Sequence, residues 1–310
     1  MQTILTVAQQ VLIIFLLIGV GITVRKTNLV TAEASRIFSN LLITVIMPAM
    51  LIDACIRPFR REDLQALGFA FLLALVFHIL NIILATVLIR KREDPDYRVE
   101  RMGAIYSNCG FMTFPILQAT LGDIGVFYGI AYVAVSGIFS WTHGWHNLTG
   151  EKLNVRKVFL NPGMLAVLIG LPIYFLQIPL PGVVTETISM MGDVNTPLAM
   201  IITGIFLAEV DLKSLFTDFA VLLAAAVRLL IAPGAMLLIL FLTRASGLFP
   251  AAGDVIFAHI VPAACPSAAF TILLVSRLRL NSGRSAGIIA VSTLFSVITV
   301  PLFAYLASLL

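Results

Sequence analysis

Two stretches place small, polar and helix-breaking residues together inside apolar sequence. The first is Tyr106-Ser107-Asn108-Cys109-Gly110-Phe111-Met112-Thr113-Phe114-Pro115, and the second is His259-Ile260-Val261-Pro262-Ala263-Ala264-Cys265-Pro266-Ser267. Pro removes a backbone donor and clashes with the preceding turn, and Gly admits conformations closed to other residues. A helix broken this way frees backbone groups for a ligand. Half-helix N-termini then attract anions and half-helix C-termini attract cations. Ser107 and Asn108 add side-chain donors suited to a carboxylate. Cys109 and Cys265 read as packing residues, because nothing adjacent would turn their thiols into thiolates. The chemistry these residues offer is reversible binding of a small ligand.

Ionisable residues inside apolar sequence are a second set of candidates, since a charge at bilayer depth costs several kcal/mol. Asp193, with Asn195 and Thr196, precedes Pro197; its oxygens would suit Na⁺ or H⁺ coupling, and the alternative is a helix cap near the interface. Asp53 reads either as a proton-linked group or as a partner of Arg57 at i,i+4 spacing. Arg228, mid-stretch, would pair with Asp193 or attract an anion. His78 and Asn81 fit a packing pair better than a proton relay. His143 and His146, among Trp141 and Trp145, fit an aromatic belt better than a metal site. Glu209 and Asp211 read as a solvated end of their stretch.

These residues need helices to hold them, and the composition says of what kind. Of 310 residues, 60% are hydrophobic and 12% charged, with a mean hydropathy of +1.03. A soluble domain is about 45–50% apolar and about 25% charged. Ordinary soluble enzymes, nucleic-acid binders and disordered chains are excluded. Candidate spans run over 4–24, 34–56, 64–89, 102–121, 124–146, 161–178, 184–209, 216–243, 254–276 and 284–308. Ten spans of ~20 residues would occupy ~200 positions. The first has no Lys or Arg before Arg25 and reads as a retained span rather than a signal peptide. Alternate loops hold fifteen Lys and Arg against four (Arg57, Arg60, Arg61 and Arg244) among the 20 in the chain. That asymmetry puts both termini outside a cytoplasmic membrane.

Ala134-Val135-Ser136-Gly137-Ile138-Phe139-Ser140 matches Ala290-Val291-Ser292-Thr293-Leu294-Phe295-Ser296 at five of seven positions. Pro48-Ala49-Met50 has a weaker echo in Pro197-Leu198-Ala199-Met200. The expected fold is all-α, with ten transmembrane helices as two five-helix repeats, 1–150 and 151–310. An odd number of spans per repeat inverts the second, as in secondary transporters. Spans four and nine, each broken at its middle, then correspond. No His-Glu-x-x-His, no Gly-x-Gly-Asp and no Ser with a partner His assembles a catalytic set, so an enzyme is not expected. No metal, cofactor or nucleic-acid partner is expected. Cys55, Cys109 and Cys265 lack metal-ligand spacing. A filter sequence that would mark a channel is not visible.

In order along the chain, several motifs resemble the auxin efflux carrier family of bacterial and plant transporters. They are Gly19-Val20-Gly21 with Arg25-Lys26, Asn40-Leu41-Leu42, Met47-Pro48-Ala49, Ser107-Asn108-Cys109-Gly110-Phe111 with Pro115, Pro197-Leu198-Ala199 with Gly204, and the closing run Ser292 to Pro301. The resemblance implies an NhaA-like fold of inverted repeats, with spans four and nine crossing at a substrate site near the midplane. It implies an elevator-like or rocking carrier of small organic anions, such as mono- or dicarboxylates or auxin-like acids, that dimerises through scaffold helices. It places substrate contact at Asn108 and Gly110, with Pro115 shaping the break; Ser107 and, from the second stretch, Cys265, Pro266 and Ser267 complete the expected substrate site. Asp53, Asp193, Asn195 and Arg228 would serve H⁺ or Na⁺ coupling. The same fold also accommodates an ion- or proton-coupled cation symporter or a bile-acid-type symporter.

Overall fold

Hydrocarbon cannot hydrogen-bond a peptide group, so a chain this apolar must satisfy its backbone internally, and helices do so locally. The computed structural model describes residues 2–151, 155–208 and 217–310, and among them it is all-helical, without strands. Lys152, Glu209, Asp211 and Lys213 lie outside the described residues. In chain order the elements are α1 (Gln2–Lys26), α2 (Ala32–Leu41), α3 (Met47–Asp53), α4 (Arg61–Leu88), α5 (Tyr97–Ile105), α6 (Thr113–Leu121), α7 (Asp123–Phe139), α8 (Trp145–Thr149) and α9 (Val155–Phe159). They continue with α10 (Pro162–Leu176), α11 (Gly182–Asp193), α12 (Asn195–Leu207), α13 (Phe219–Ala226), α14 (Ala232–Leu242), α15 (Ala252–Ala264), α16 (Phe270–Arg277) and α17 (Ser282–Ala307).

Among the described residues seven helical stretches, some joining two of these elements, are long and apolar enough to cross a membrane: Leu5–Lys26, Glu33–Asp53, Arg61–Leu88, Asp123–Thr149, Gly182–Leu207, Phe219–Leu242 and Ser282–Ala307. The other three expected spans fall short of that length for physical reasons. The segment 102–121 is divided between α5 and α6, and 254–276 between α15 and α16, because helix-breaking residues interrupt each. α10, within 161–178, is a fifteen-residue helix that starts at an Asn161-Pro162 cap, where Asn161 Oδ1 accepts from the Gly163 and Met164 N–H groups at 2.9 and 3.3 Å.

Three of the long helices contain one widened turn, with the hydrogen bonds of a π-helix: Leu42–Ile46 between α2 and α3, Ser140–Gly144 between α7 and α8, and Val227–Ile231 between α13 and α14. Such bulges rotate the side chains beyond them and concentrate at functional sites.

Small residues allow a close helix contact. A Cβ on Gly21 of α1 would overlap the Ile201 carbonyl of α12, and a Cβ on Gly204 would overlap the Ile18 carbonyl. Without a hydrophobic drive between helices in lipid, this backbone-to-backbone approach is what holds α1 on α12. At the end richest in loop charge, the carboxylate of Glu100 is 1% exposed and accepts from Arg92 and from Arg284 Nη1 (2.7 Å). Arg284 also reaches Asp218 (3.5 Å) and Asp96 (3.8 Å). The hydrogen bond that Arg92 donates to the Glu100 carboxylate holds its guanidinium above its ordinary pKa. This network ties the connector 90–96 and α5 to the starts of α13 and α17.

Replacing Gly204 by Leu forces α1 off α12. The expected cost is about 1–3 kcal/mol, read as a lower melting temperature in detergent. Gly19→Leu, which meets open space, should leave melting unchanged.

Candidate functional site

α5 and α15 both run out into extended backbone, at Tyr106 and Cys265, and each break supplies what the other lacks. Between α5 and α6 the chain is irregular over 106–112, and between α15 and α16 over 265–269. Ser107 and Ser267 form an antiparallel bridge. The Asn108 N–H donates to the Pro266 carbonyl (2.7 Å), and the Ala268 N–H donates to the Tyr106 carbonyl (2.9 Å). The Ser267 N–H donates to Ser292 Oγ on α17 (3.0 Å). An unpaired peptide group in an apolar medium costs several kcal/mol; pairing the breaks removes much of that cost.

The last carbonyls of α5 and α15 meet a cation. Arg228, in the widened turn Val227–Ile231, is fully buried. Its Nη1 donates to the Ile105 carbonyl at 2.6 Å and the Ala104 carbonyl at 3.5 Å, and its Nη2 donates to the Ala263 carbonyl. Asn81 Nδ2 adds a bond to the Ile105 carbonyl (3.3 Å). The guanidinium carbon lies 5.6 Å from the centre of the Phe77 ring. Pairing with Asp193, one of the two roles open to Arg228 in the sequence, is not found: among the ion pairs of the described residues Arg228 has none.

Beside the crossing is a cavity of about 310 Å³. Ser107, Asn108, Cys109, Gly110 and Phe111 line it from the first break, and Ala268, Ala269 and Phe270 from the second. Ser136, Ser140 and Trp141 of the α7 helix and its widened turn, Asn40 and Met47, and the Asn161-Pro162 cap complete the wall. Among the described residues the hydrogen bonds of Asn108 are those of its backbone, so its side-chain amide borders the cavity with its donors and acceptor available. Met47 Sδ would lie 3.2 Å from a Cβ on Gly110, so Gly110 keeps space between α3 and the break.

The expected site residues therefore separate. Ser107, Asn108 and Gly110 line this cavity. Cys265 is buried against Thr113 (3.4 Å between Sγ and Oγ1), Pro266 spends its carbonyl on the crossing, and Ser267 is 1% exposed; none of them lines it. Pro115 lines a second cavity, of about 470 Å³, with Asp53, Arg57, Gln118, Asp123, Ser189, Asp193 and Thr196. Asp193 is exposed and does not cap α12, which begins without a side-chain cap. Arg57 lies over the Phe127 ring (5.0 Å to the centroid), and Asp53 and Arg57 are not among the ion pairs of the described residues. Asn195 is fully buried between α11 and α12, and its Nδ2 reaches the Gly110 carbonyl at 3.4 Å. The His143 and His146 rings turn to different partners, the Tyr106 hydroxyl (3.1 Å) and the Glu151 carbonyl (2.8 Å). Trp141 stacks on Trp145.

Sequence reasoning missed Ser136, Ser140, Asn161 and Asn40 as lining residues. Ser136 and Ser140 are four apart, at the end of α7 and the start of the widened turn that follows it, and Asn161-Pro162 is a helix-start signal; both were open to view. The role of Asn81 depends on a carbonyl 24 residues away and left no local trace.

The profile of a family described as "Membrane transport protein" matches this chain over residues 6–155 and 151–304. Over 75 residues the chain is 31% identical to an uncharacterized transporter of Saccharomyces cerevisiae; the aligned stretch is 24% of this chain and 12% of that protein.

The two placements are separable by labelling. In a protein with Cys55, Cys109 and Cys265 replaced, Trp141→Cys should react with a charged methanethiosulfonate at least about tenfold faster than Ser267→Cys. Equal rates would contradict the cavity's boundaries.

Proposed function

The chain belongs to the membrane transport protein family, the auxin efflux carrier family that its motifs resemble, and from that premise we propose that it is a secondary carrier of small organic anions. It is a multi-pass membrane protein of a transporter family. In this reading it has ten spans in two inverted halves, lies in the cytoplasmic membrane with both termini outside, and works as a homodimer with an elevator-like movement. The interrupted pairs α5/α6 and α15/α16 count as spans four and nine.

One observation carries the substrate reading. A cavity of about 310 Å³, a volume at the lower end of small-molecule sites, opens on two interrupted helices and is lined by neutral hydrogen-bonding side chains. Asn108 donates to the substrate carboxylate, Ser107, Ser136 and Ser140 contribute hydroxyls, and backbone groups around Gly110 complete the contacts. Apolar Met47, Phe111, Trp141 and Phe270 accept the rest of the molecule.

A pathway is suggested by the relation of the two cavities. On α3 they are lined by Met47 and Met50, and along the chain entering α6 by Phe111 and Phe114. Each pair is three residues apart, and for Met47 and Met50 on α3 that is about one helical turn. A thin partition of this kind is what alternating access would shift. In this reading the smaller cavity opens toward the cytoplasm, the side of the basic loops.

The carboxylates of the larger cavity favour a second reading, coupling to H⁺ or Na⁺. Asp53, Asp123 and Asp193 face one space with Arg57 as the basic member. A gradient acting there would drive the anion, or, in the alternative reading, a cation substrate of a symporter.

Counterflow in proteoliposomes tests both readings. Vesicles loaded with malonate, malate, pyruvate or indole-3-acetate should accumulate the matching labelled anion. Asn108→Ala should lose about tenfold or more, the effect of removing a hydrogen bond of 1.5–3 kcal/mol to a charged group, with unchanged expression and melting. Full activity in that variant would remove the site. Asp193→Asn should keep exchange but lose acceleration by an imposed H⁺ or Na⁺ gradient; retained acceleration would exclude Asp193 from coupling.

A further inference from the structure

We propose that Arg228 is a positioning residue whose fixed charge makes the crossing an anion site, by cancelling the negative ends of both interrupted helices. The inference rests on the anion-carrier reading and supplies its electrostatic cause.

The charge balance follows from the helix ends. α5 and α15 both stop at the crossing, and each brings its C-terminus there. A helix C-terminus carries about −0.5 elementary charge. Two together present about −1, which would repel an anion and favour a mobile cation. Arg228 puts one guanidinium on these ends, bonded to Ala104, Ile105 and Ala263. Arginine keeps its proton at any pH the protein meets, so this +1 is permanent. α6 (Thr113–Leu121) and α16 (Phe270–Arg277) begin on the far side of the same breaks. Their N-terminal ends, about +0.5 each, are left without a matching carboxylate among the residues lining the smaller cavity. The sum at the crossing is therefore positive.

The geometry favours this role over structural filling alone. The side chain comes from a widened turn, which places Arg228 between two helices that it joins across 123 and 35 residues of sequence. Its Nε has no hydrogen-bond partner among the described residues. A buried charge without a carboxylate partner is costly, and the half-helix ends are what offset it. Arg228 does not line the cavity, so it acts through the helix ends rather than by touching substrate.

The test uses the full chain and ethylguanidinium as probe. Arg228→Gln should raise the half-saturating anion concentration at least about tenfold, and Arg228→Lys should recover most of that loss. In Arg228→Ala, millimolar ethylguanidinium should restore counterflow and raise the melting temperature, while doing neither in the wild type. Wild-type half-saturation in folded Arg228→Gln would overturn the proposal. So would an ethylguanidinium melting shift that is absent from Arg228→Ala or equal in both proteins. The melting arm needs no flux. If the wild type carries no anion, the carrier reading fails alone, and a selective melting shift in Arg228→Ala still supports a cation place at the crossing.

Discussion

A helix that stops inside hydrocarbon leaves peptide groups that lipid cannot satisfy, and here two helices stop at one place. Everything distinctive in the fold depends on how those groups are paired. The bridge between Ser107 and Ser267, with its flanking bonds, matches donors of one break to acceptors of the other. Arg228 and Asn81 take the terminal carbonyls that remain. Neither break would be tolerable alone in surroundings this buried and apolar, so the two are mutually dependent. That dependence explains why polar side chains with long-range partners, Ser292, Asn81 and Arg228, are fully or almost fully buried in so apolar a chain.

The surrounding helices bring these groups together by ordinary membrane packing. Glycines let α1 and α12 touch backbone to backbone. Widened turns do the opposite work, moving side chains off the register that a regular helix would give. Two of the three lie at the smaller cavity, through Ile43 and through Ser140 and Trp141, and the third carries Arg228. The cavity beside the interrupted helices thus goes with lost regularity in neighbouring helices. The charged network around Glu100 secures the opposite end of α5, so the half-helix that ends at the crossing is held at both ends.

The division of polar residues between two cavities gives the molecule two chemical environments. The smaller is lined by amides, hydroxyls and apolar rings. The larger collects carboxylates from three segments distant in sequence, at Asp53, Asp123 and Asp193. A neutral, hydrogen-bonding space beside helix N-termini suits an anion, while a carboxylate-lined space suits a proton or metal cation. In the proposed reading, such a separation would let substrate and driving ion be handled without sharing ligands.

Composition and apolar periods determined that the chain is helical and membrane-embedded, because burial in lipid is a property of each stretch by itself. The positions of both breaks were also legible, since Pro and Gly act on the backbone locally, and Asn108 and Gly110 stood out beside them. Ser136, Ser140 and the Asn161 cap carried weaker local signals. The rest was decided only by tertiary structure. Pro115 went to the second cavity, Cys265 and Ser267 turned inward, and Arg228 took carbonyls instead of Asp193. Each of these outcomes depends on which face of a helix meets another far along the chain, and on widened turns that shift that face. The period of a single helix holds no record of its neighbours, so the partners of a buried charge appear only when the helices are packed.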